Sequence, residues 1–296
     1  MKKTHEKLIS NTIRIAGSSC ILFILLIFFF LMREGLPTLV DVSLKDLFSA
    51  RWYPIEGLFG ILPLLSGSLI VTVFSILIAL PLGVGTAIYI GEIAPRRVNE
   101  ILKPTIEILA GIPSVVLGFI GILVLSSFMR QTFNLPTGLT AFTGAFLLAL
   151  ISIPTIVSIA EDALYAVPKT YRDAAYALGA SKWQIIWGVV LPAARTGILT
   201  AVMLGVGRSL GETMAVMMVT GNAPTMFSGL NSFISPIRTM TATIASEMGE
   251  VASGSTHYHV LFFIGIILFV FSLIINVSST TSLKKRSAKS RAQVVS

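Results

Sequence analysis

Charged residues vanish from this sequence for long stretches. Residues 15–32, 57–91, 108–129 and 131–160 contain no Asp, Glu, Lys or Arg. A helix that crosses a bilayer needs about 20 mostly apolar residues, so each run can span one. Two later segments, Thr196 to about Thr220 and Tyr258 to about Thr280, can do the same. Inside hydrocarbon the backbone must satisfy its own hydrogen bonds, which favours helices for runs of this length. The expected fold class is an all-α membrane protein with six transmembrane helices, near 13–32, 65–90, 106–129, 139–160, 196–220 and 258–280. Only 12% of the residues are charged, against about 25% in soluble domains, which excludes a large water-soluble domain.

Sidedness follows from the basic residues. With the N-terminus in the cytoplasm, sixteen Lys and Arg fall on that side and five on the other (Arg33, Lys45, Arg51, Arg130 and Arg238), while Arg208 lies inside a span. The positive-inside rule then places both termini in the cytoplasm. The net charge of +8 is explained by this asymmetry and calls for no nucleic-acid partner. The basic, then apolar, start has the form of a signal peptide, but no small-x-small site follows Met32, so an uncleaved first span is expected. Cys20 is the single cysteine, which gives neither a disulfide framework nor a cysteine metal site. His257 and His259 have no third ligand nearby and read as interface residues, with no metal site. In the outer loop 33–63, Trp52, Tyr53 and Pro54 suit a membrane interface. The basic stretch 284–296 reads as a disordered tail at the anionic inner leaflet.

Two polar features stand out against this background. The first is Asp173 to Pro192. Tyr171, Ala174, Ala175 and Leu178 share one helical face, Gly179 can close that helix, and Ser181 with Gln184 makes a capping box for a second helix. Pro192 is expected to end the second helix. A DNA-binding helix-turn-helix is set aside because apolar spans flank the pair closely. The alternative is a loop helix packed on its own protein.

The second feature is Arg208 with Glu212, spaced i and i+4 and expected to share a helix face and pair. Arg208 lies about 20 Å along a helix from Arg195 at roughly 1.5 Å per residue. A charge at that depth costs at least about 2.5–3.5 kcal/mol on insertion scales and should face a partner or a watery path. Gly207 and Gly211 give a small-xxx-small edge for a neighbouring helix. Pro113 in the third span, and Ser152, Pro154, Thr155 and Ser158 in the fourth, mark polar kinks that can wall a path or merely pack. Gly221 to His257 is too long for a plain turn and reads as a functional or re-entrant cover. No Gly-x-x-x-x-Gly-Lys-Ser/Thr phosphate loop is present, so no ATP hydrolysis is expected of this chain.

These residues resemble a known pattern. Asp173-Ala174-Ala175, then Gly179, Val189 and Leu191-Pro192, match the spacing of the EAA loop of ABC-transporter permeases, with Asp in place of Glu and Val in place of Ile. Ala110-Gly-Ile-Pro-Ser-Val-Val, Glu161-Asp-Ala-Leu with Val167-Pro168, Gly207-Arg-Ser-Leu-Gly-Glu-Thr-Met-Ala-Val and Glu247-Met-Gly-Glu extend it to the PstC-type permease of the phosphate-specific ABC importer. The related A-type permease shares part of the Gly-Arg-x-x-Gly-Glu-Thr string. The resemblance implies a type I ABC importer permease fold in the bacterial inner membrane. It divides the chain into 1–57 (first helix and outer loop), 58–283 (permease domain, coupling loop 168–192) and 284–296 (tail). It further implies a second, A-type permease, two ATPase subunits that carry ATP and Mg on the cytoplasmic face, and an extracytoplasmic phosphate-binding protein. This chain itself would hold no cofactor. Arg208 and Glu212 become translocation-path residues, and Asp173, Ala174, Ala175, Gly179, Leu191 and Pro192 the ATPase-coupling set, in a subunit with no catalytic residues.

Three other readings compete. An ABC permease for molybdate or sulfate would share the fold. An ion-coupled secondary transporter would need intramembrane ion ligands, yet Glu212 is the only carboxylate well inside a span, and no inverted repeat is evident. A structural or assembly protein would leave Arg208 and the capped helix pair without a task.

Overall fold

The computed structural model describes the backbone of residues 2–295 and the side chains of 9–229 and 232–277. Among the described residues six helices are long and apolar enough to cross a membrane: Ile9–Asp41, Leu62–Ile93, Ser114–Thr132, Ala141–Tyr165, Lys182–Gly211 and Thr256–Val277. They are called the first to sixth spans below. The fourth is the axis of the bundle: 61% of its apolar window is buried, against 28% or less for every other span. The second and fifth spans pack on it through close backbone approach. A Cβ on Gly83 or Gly205 would sit 2.8 Å and 2.7 Å from side-chain carbons of Ile156, so the two glycines clasp that fully buried residue from both sides. Small residues at such crossings let helices meet where the hydrophobic effect between helices is absent. The first span stays peripheral and lies along the sixth, with Phe28 on Phe269 and Phe30 on Phe262 at centroid distances of 5.1 and 5.5 Å.

Three expectations about the helices change. The third span starts at Ser114, because the chain breaks at Ile112-Pro113 and residues 96–111 form a separate amphipathic helix, Arg96–Gly111, with no buried residue. That helix carries Arg96, Glu100, Lys103 and Glu107, charges that keep it out of hydrocarbon. The helix at Lys182 does not stop at Pro192. A π-turn over Ile186–Val190 precedes Leu191–Gly211, and the helix runs through. The wider turn accommodates a proline that lacks an N–H and crowds the preceding carbonyls. The fifth span ends at Gly211, and a short helix, Met214–Val219, follows a break at Glu212. The sixth helix begins at Thr256; the stretch 284–296, expected to be a disordered tail, falls within 278–296, whose side chains lie outside the described residues.

At the end opposite Asp173, the loop after the first span makes a two-stranded hairpin, Trp52–Tyr53 with Leu58–Phe59. Trp52 is buried rather than interfacial: it packs on Phe59 and donates its Nε1–H to Glu247 at 3.2 Å. The segment after Thr220 folds back over the bundle, bridging Gly221 to Ile237 and continuing into Met240–Glu247, where Thr239 is the N-cap. The Ser68 hydroxyl accepts the Met240 amide at 2.8 Å, which ties this cover to the second span.

Gly67 sits under the same seam, and a Cβ there would collide with the Arg238 carbonyl. Gly67→Ala is expected to destabilise the protein by about 1–3 kcal/mol through overpacking. Gly85→Ala on the same helix, where nothing lies within 4 Å, is expected to be neutral or to stabilise by up to about 1 kcal/mol. Thermal unfolding of both variants in detergent checks the opposite signs.

Candidate functional site

The capped helix pair forms as the sequence indicates. Lys169–Ala177 ends with Gly179 at φ +80°, a left-handed backbone that glycine adopts without Cβ strain. The Gly179 amide donates to Tyr176 O and the Ala180 amide to Ala175 O, the paired bonds of a Schellman motif. Ser181 and Gln184 make both bonds of the capping box. Asp173 and Ala174 are exposed, Ala175 is partly buried against the neighbouring core, and Leu191 and Pro192 lie within the continuous fifth helix. The face turned away from the bundle is apolar: Tyr171, Tyr176, Leu178, Trp183 and Trp187 are all more than half exposed, Leu178 at 89%.

Inside the bundle, Arg208 and Glu212 do not pair. The helix unwinds after Gly211, and Glu212 has extended backbone, φ −69° and ψ 128°. That turn carries the carboxylate off the Arg208 face. Glu212 Oε1 instead accepts the Thr213 and Ala215 amides, each at 3.2 Å, and so caps the helix beyond the break. Arg208 Nη1 donates to Thr155 Oγ1 of the fourth span at 2.9 Å. Among the described residues no carboxylate lies within 4 Å of the guanidinium.

Ser209, the next residue, is the hub of a buried hydroxyl cluster. Its Oγ lies 3.1 Å from Ser75 Oγ of the second span and 2.8 Å from Ser152 Oγ of the fourth. One turn of the fourth span thus supplies Ser152 to the hub, Thr155 to Arg208 and Ile156 to the glycine clasp. Ser152 and Thr155 were legible as a polar kink in an apolar run. Ser75 and Ser209 were not, since a lone serine in a span is usually bonded to its own helix. A cavity of about 10 Å³ lined by Ser68, Thr72, Ser209, Glu212, Thr239 and Thr241 lies at the same level, space for about one water. Gly207 and Gly211 have no atom within 4 Å of a built Cβ, so the edge beside Arg208 is open.

His257 and His259 sit at the start of the sixth span and each meets a carboxylate: His257 Nε2 with Glu247 at 2.8 Å, His259 Nδ1 with Asp41 at 2.9 Å. Arg238 Nη1 also donates to Glu247 at 2.6 Å. A cavity of about 500 Å³ opens beside this cluster, between it and the hairpin. On the opposite, basic face, Lys103 pairs with the buried Glu161 at 3.3 Å. Burial lowers the Lys103 pKa, but the Glu161 charge and hydrogen bond outweigh it, and the net shift is upward.

The element order, an amphipathic loop helix joined to a charged fifth span, can be set against known proteins. Residues 79–286 match the model of the family described as binding-protein-dependent transport system inner membrane component. The chain belongs to that family. It is an ABC importer permease, a multi-pass inner-membrane protein. It is 41% identical over 233 residues, 78% of this chain and 74% of the relative, to the probable ABC transporter permease protein YqgH of Bacillus subtilis. It is 37% identical over 246 residues, 77% and 74% of the two chains, to the phosphate transport system permease protein PstC of Mesorhizobium japonicum. In fold it is similar to a chain of a bacterial ABC transporter involved in the import of alginate, with TM-score 0.60, 13% identity, and 92% and 95% of the two chains covered.

In this permease Glu212 acts on the backbone, and substitutions separate that task from ion pairing. Glu212→Gln keeps the accepting oxygen and is expected to shift stability by less than about 0.5 kcal/mol. Glu212→Ala loses the cap and is expected to cost about 0.5–2 kcal/mol. Thermal melting of the purified variants distinguishes the two.

Proposed function

We propose that this permease imports inorganic phosphate, paired with a second, A-type permease and driven by two ATPase subunits that bind ATP and Mg, with an extracytoplasmic phosphate-binding protein delivering the substrate. The observation that carries the reading is the Arg208 guanidinium: an intramembrane cation held by one threonine and, among the described residues, left without a carboxylate. A planar guanidinium with unused donors is suited to a tetrahedral oxyanion, which it can hold through two parallel bonds. Names among the similar relatives point the same way, since several are phosphate transport system permeases. Arg208 and Glu212 line the path. The open Gly207 and Gly211 edge faces the second permease, because the 10 Å³ cavity inside this chain is far too small for the anion.

The positive-inside rule places the basic face and both termini in the cytoplasm. The exposed aromatic face of Lys169–Ala177 and of Trp183 and Trp187 then meets an ATPase groove, with Asp173, Ala174, Ala175, Gly179, Leu191 and Pro192 as the coupling set. Because helix continues from Lys182 to Gly211, a push on the loop moves Arg208 with it. An importer for sulfate or molybdate is the alternative reading of the same site.

ATP-dependent uptake into vesicles holding the full complex tests this. A hydrogen bond to a charged group contributes about 1.5–3 kcal/mol, so Arg208→Gln is expected to cut phosphate uptake by about 10- to 150-fold while the ATPase still co-purifies. Thr155→Val is expected to cut it by about tenfold, since the shape is kept and the anchor is lost. Uptake of sulfate or molybdate in place of phosphate would sink the substrate assignment. At the loop, Gly179→Val places a β-branched residue in left-handed backbone at a cost of about 1–2 kcal/mol. It is expected to lose ATPase co-purification while the chain still inserts in the membrane.

A further inference from the structure

Arg172 is the one basic residue of the Lys169–Ala177 helix turned into the protein, with 18% of its side chain exposed. Its Nη2 donates to Glu92 Oε1 at 2.6 Å and its Nε to Glu92 Oε2 at 3.4 Å. The same guanidinium donates to the carbonyls of Val167 at 2.6 Å and Leu164 at 2.9 Å, which closes the end of the fourth-span helix. Glu92 is 10% exposed and lies in the π-turn Tyr89–Ile93 that finishes the second span. A two-oxygen guanidinium–carboxylate contact fixes direction as well as distance, and this one is shielded from solvent, where screening is weak.

The second span leads from Glu92 to Ser75, roughly 25 Å along the helix, and Ser75 bonds Ser209 beside Arg208. Ser209 also meets Ser152 of the fourth span, so Arg172–Glu92 is the side-chain link that ties the loop to the second span. The second arm is itself the start of the fifth span. The first arm connects to the fourth span along the chain and through the Leu164 and Val167 carbonyls, and to the second span through Arg172 and Glu92.

We propose that the Arg172–Glu92 pair is a coupling strut. It makes the second span move with the ATPase-docking helix, so that the two helices flanking Arg208 shift together in one cycle. Arg172 and Glu92 are positioning residues that touch neither substrate nor nucleotide. The proposal rests on reading the loop as the ATPase docking site.

The variant that isolates the strut is Glu92→Ala, since Arg172 keeps its two carbonyl bonds and the loop keeps its caps. In proteoliposomes with the complete transporter, uptake and ATP hydrolysis are measured together. The expected result is retained ATPase association and hydrolysis, with anion transported per ATP reduced at least tenfold. Glu92→Gln, which keeps an acceptor for the guanidinium, is expected to recover part of that ratio, and Glu100→Gln, on an exposed pair of the same face, to leave it unchanged. A wild-type ratio in Glu92→Ala overturns the proposal. Loss of the ATPase subunits in that variant overturns it too, because the pair would then build the docking surface rather than transmit from it. If the wild type carries sulfate or molybdate, the phosphate reading fails, and the ratio is still read with that anion.

Discussion

A guanidinium within an apolar helix bundle is the constraint around which the rest is arranged. Held without a partner, it would cost at least about 2.5–3.5 kcal/mol and turn the fifth span towards whatever water or dipole it could find. Here the fourth span meets it with Thr155, and the flanking residues remove the remaining freedom. Ser209 is locked by Ser75 and Ser152, and Ile156 is clasped between Gly83 and Gly205. Three spans are thus registered within one turn of the fourth helix. Among the described residues the cation is anchored by a hydroxyl and paired with no carboxylate.

The helix breaks and continuities serve the same arrangement. Two prolines of the sequence behave differently for a physical reason. At Pro113 the chain is free to leave the helix, because the preceding Arg96–Gly111 segment is amphipathic and need not share an axis with the span. At Pro192 the apolar residues on both sides demand burial along one axis, and a π-turn absorbs the missing amide. The outcome is one continuous helix from the loop to Arg208. The break falls at Glu212, where a side-chain carboxylate takes up amides that the interrupted helix would leave bare.

At the two ends of the bundle, partly buried ion pairs join separate elements. Glu247 gathers Trp52, Arg238 and His257 on one side, while Glu92 and Glu161 hold Arg172 and Lys103 on the other. Such pairs gain little for net stability, because desolvation offsets their attraction, but they specify which elements touch. In a bundle of interchangeable aliphatic surfaces, that specification fixes how the cover meets the hairpin and the sixth span and how the loop meets the second span.

Hydropathy and caps were legible in the sequence because both are sums over neighbours. Six spans, the Gly179 turn and the Ser181–Gln184 box depend on residues within a few positions of one another, and no distant contact overrides them. The partner of Arg208 was not legible. Spacing of i and i+4 promises a pair only if the helix persists through residue 212, and the backbone there is decided by the packing of the cover, whose Thr241 hydroxyl donates to the Glu212 carbonyl. The Ser75–Ser209–Ser152 hub and the Arg172–Glu92 strut were hidden for the same reason. Each joins helices far apart in the chain, and a serine or arginine shows its partner only when the helices carrying it have found their places.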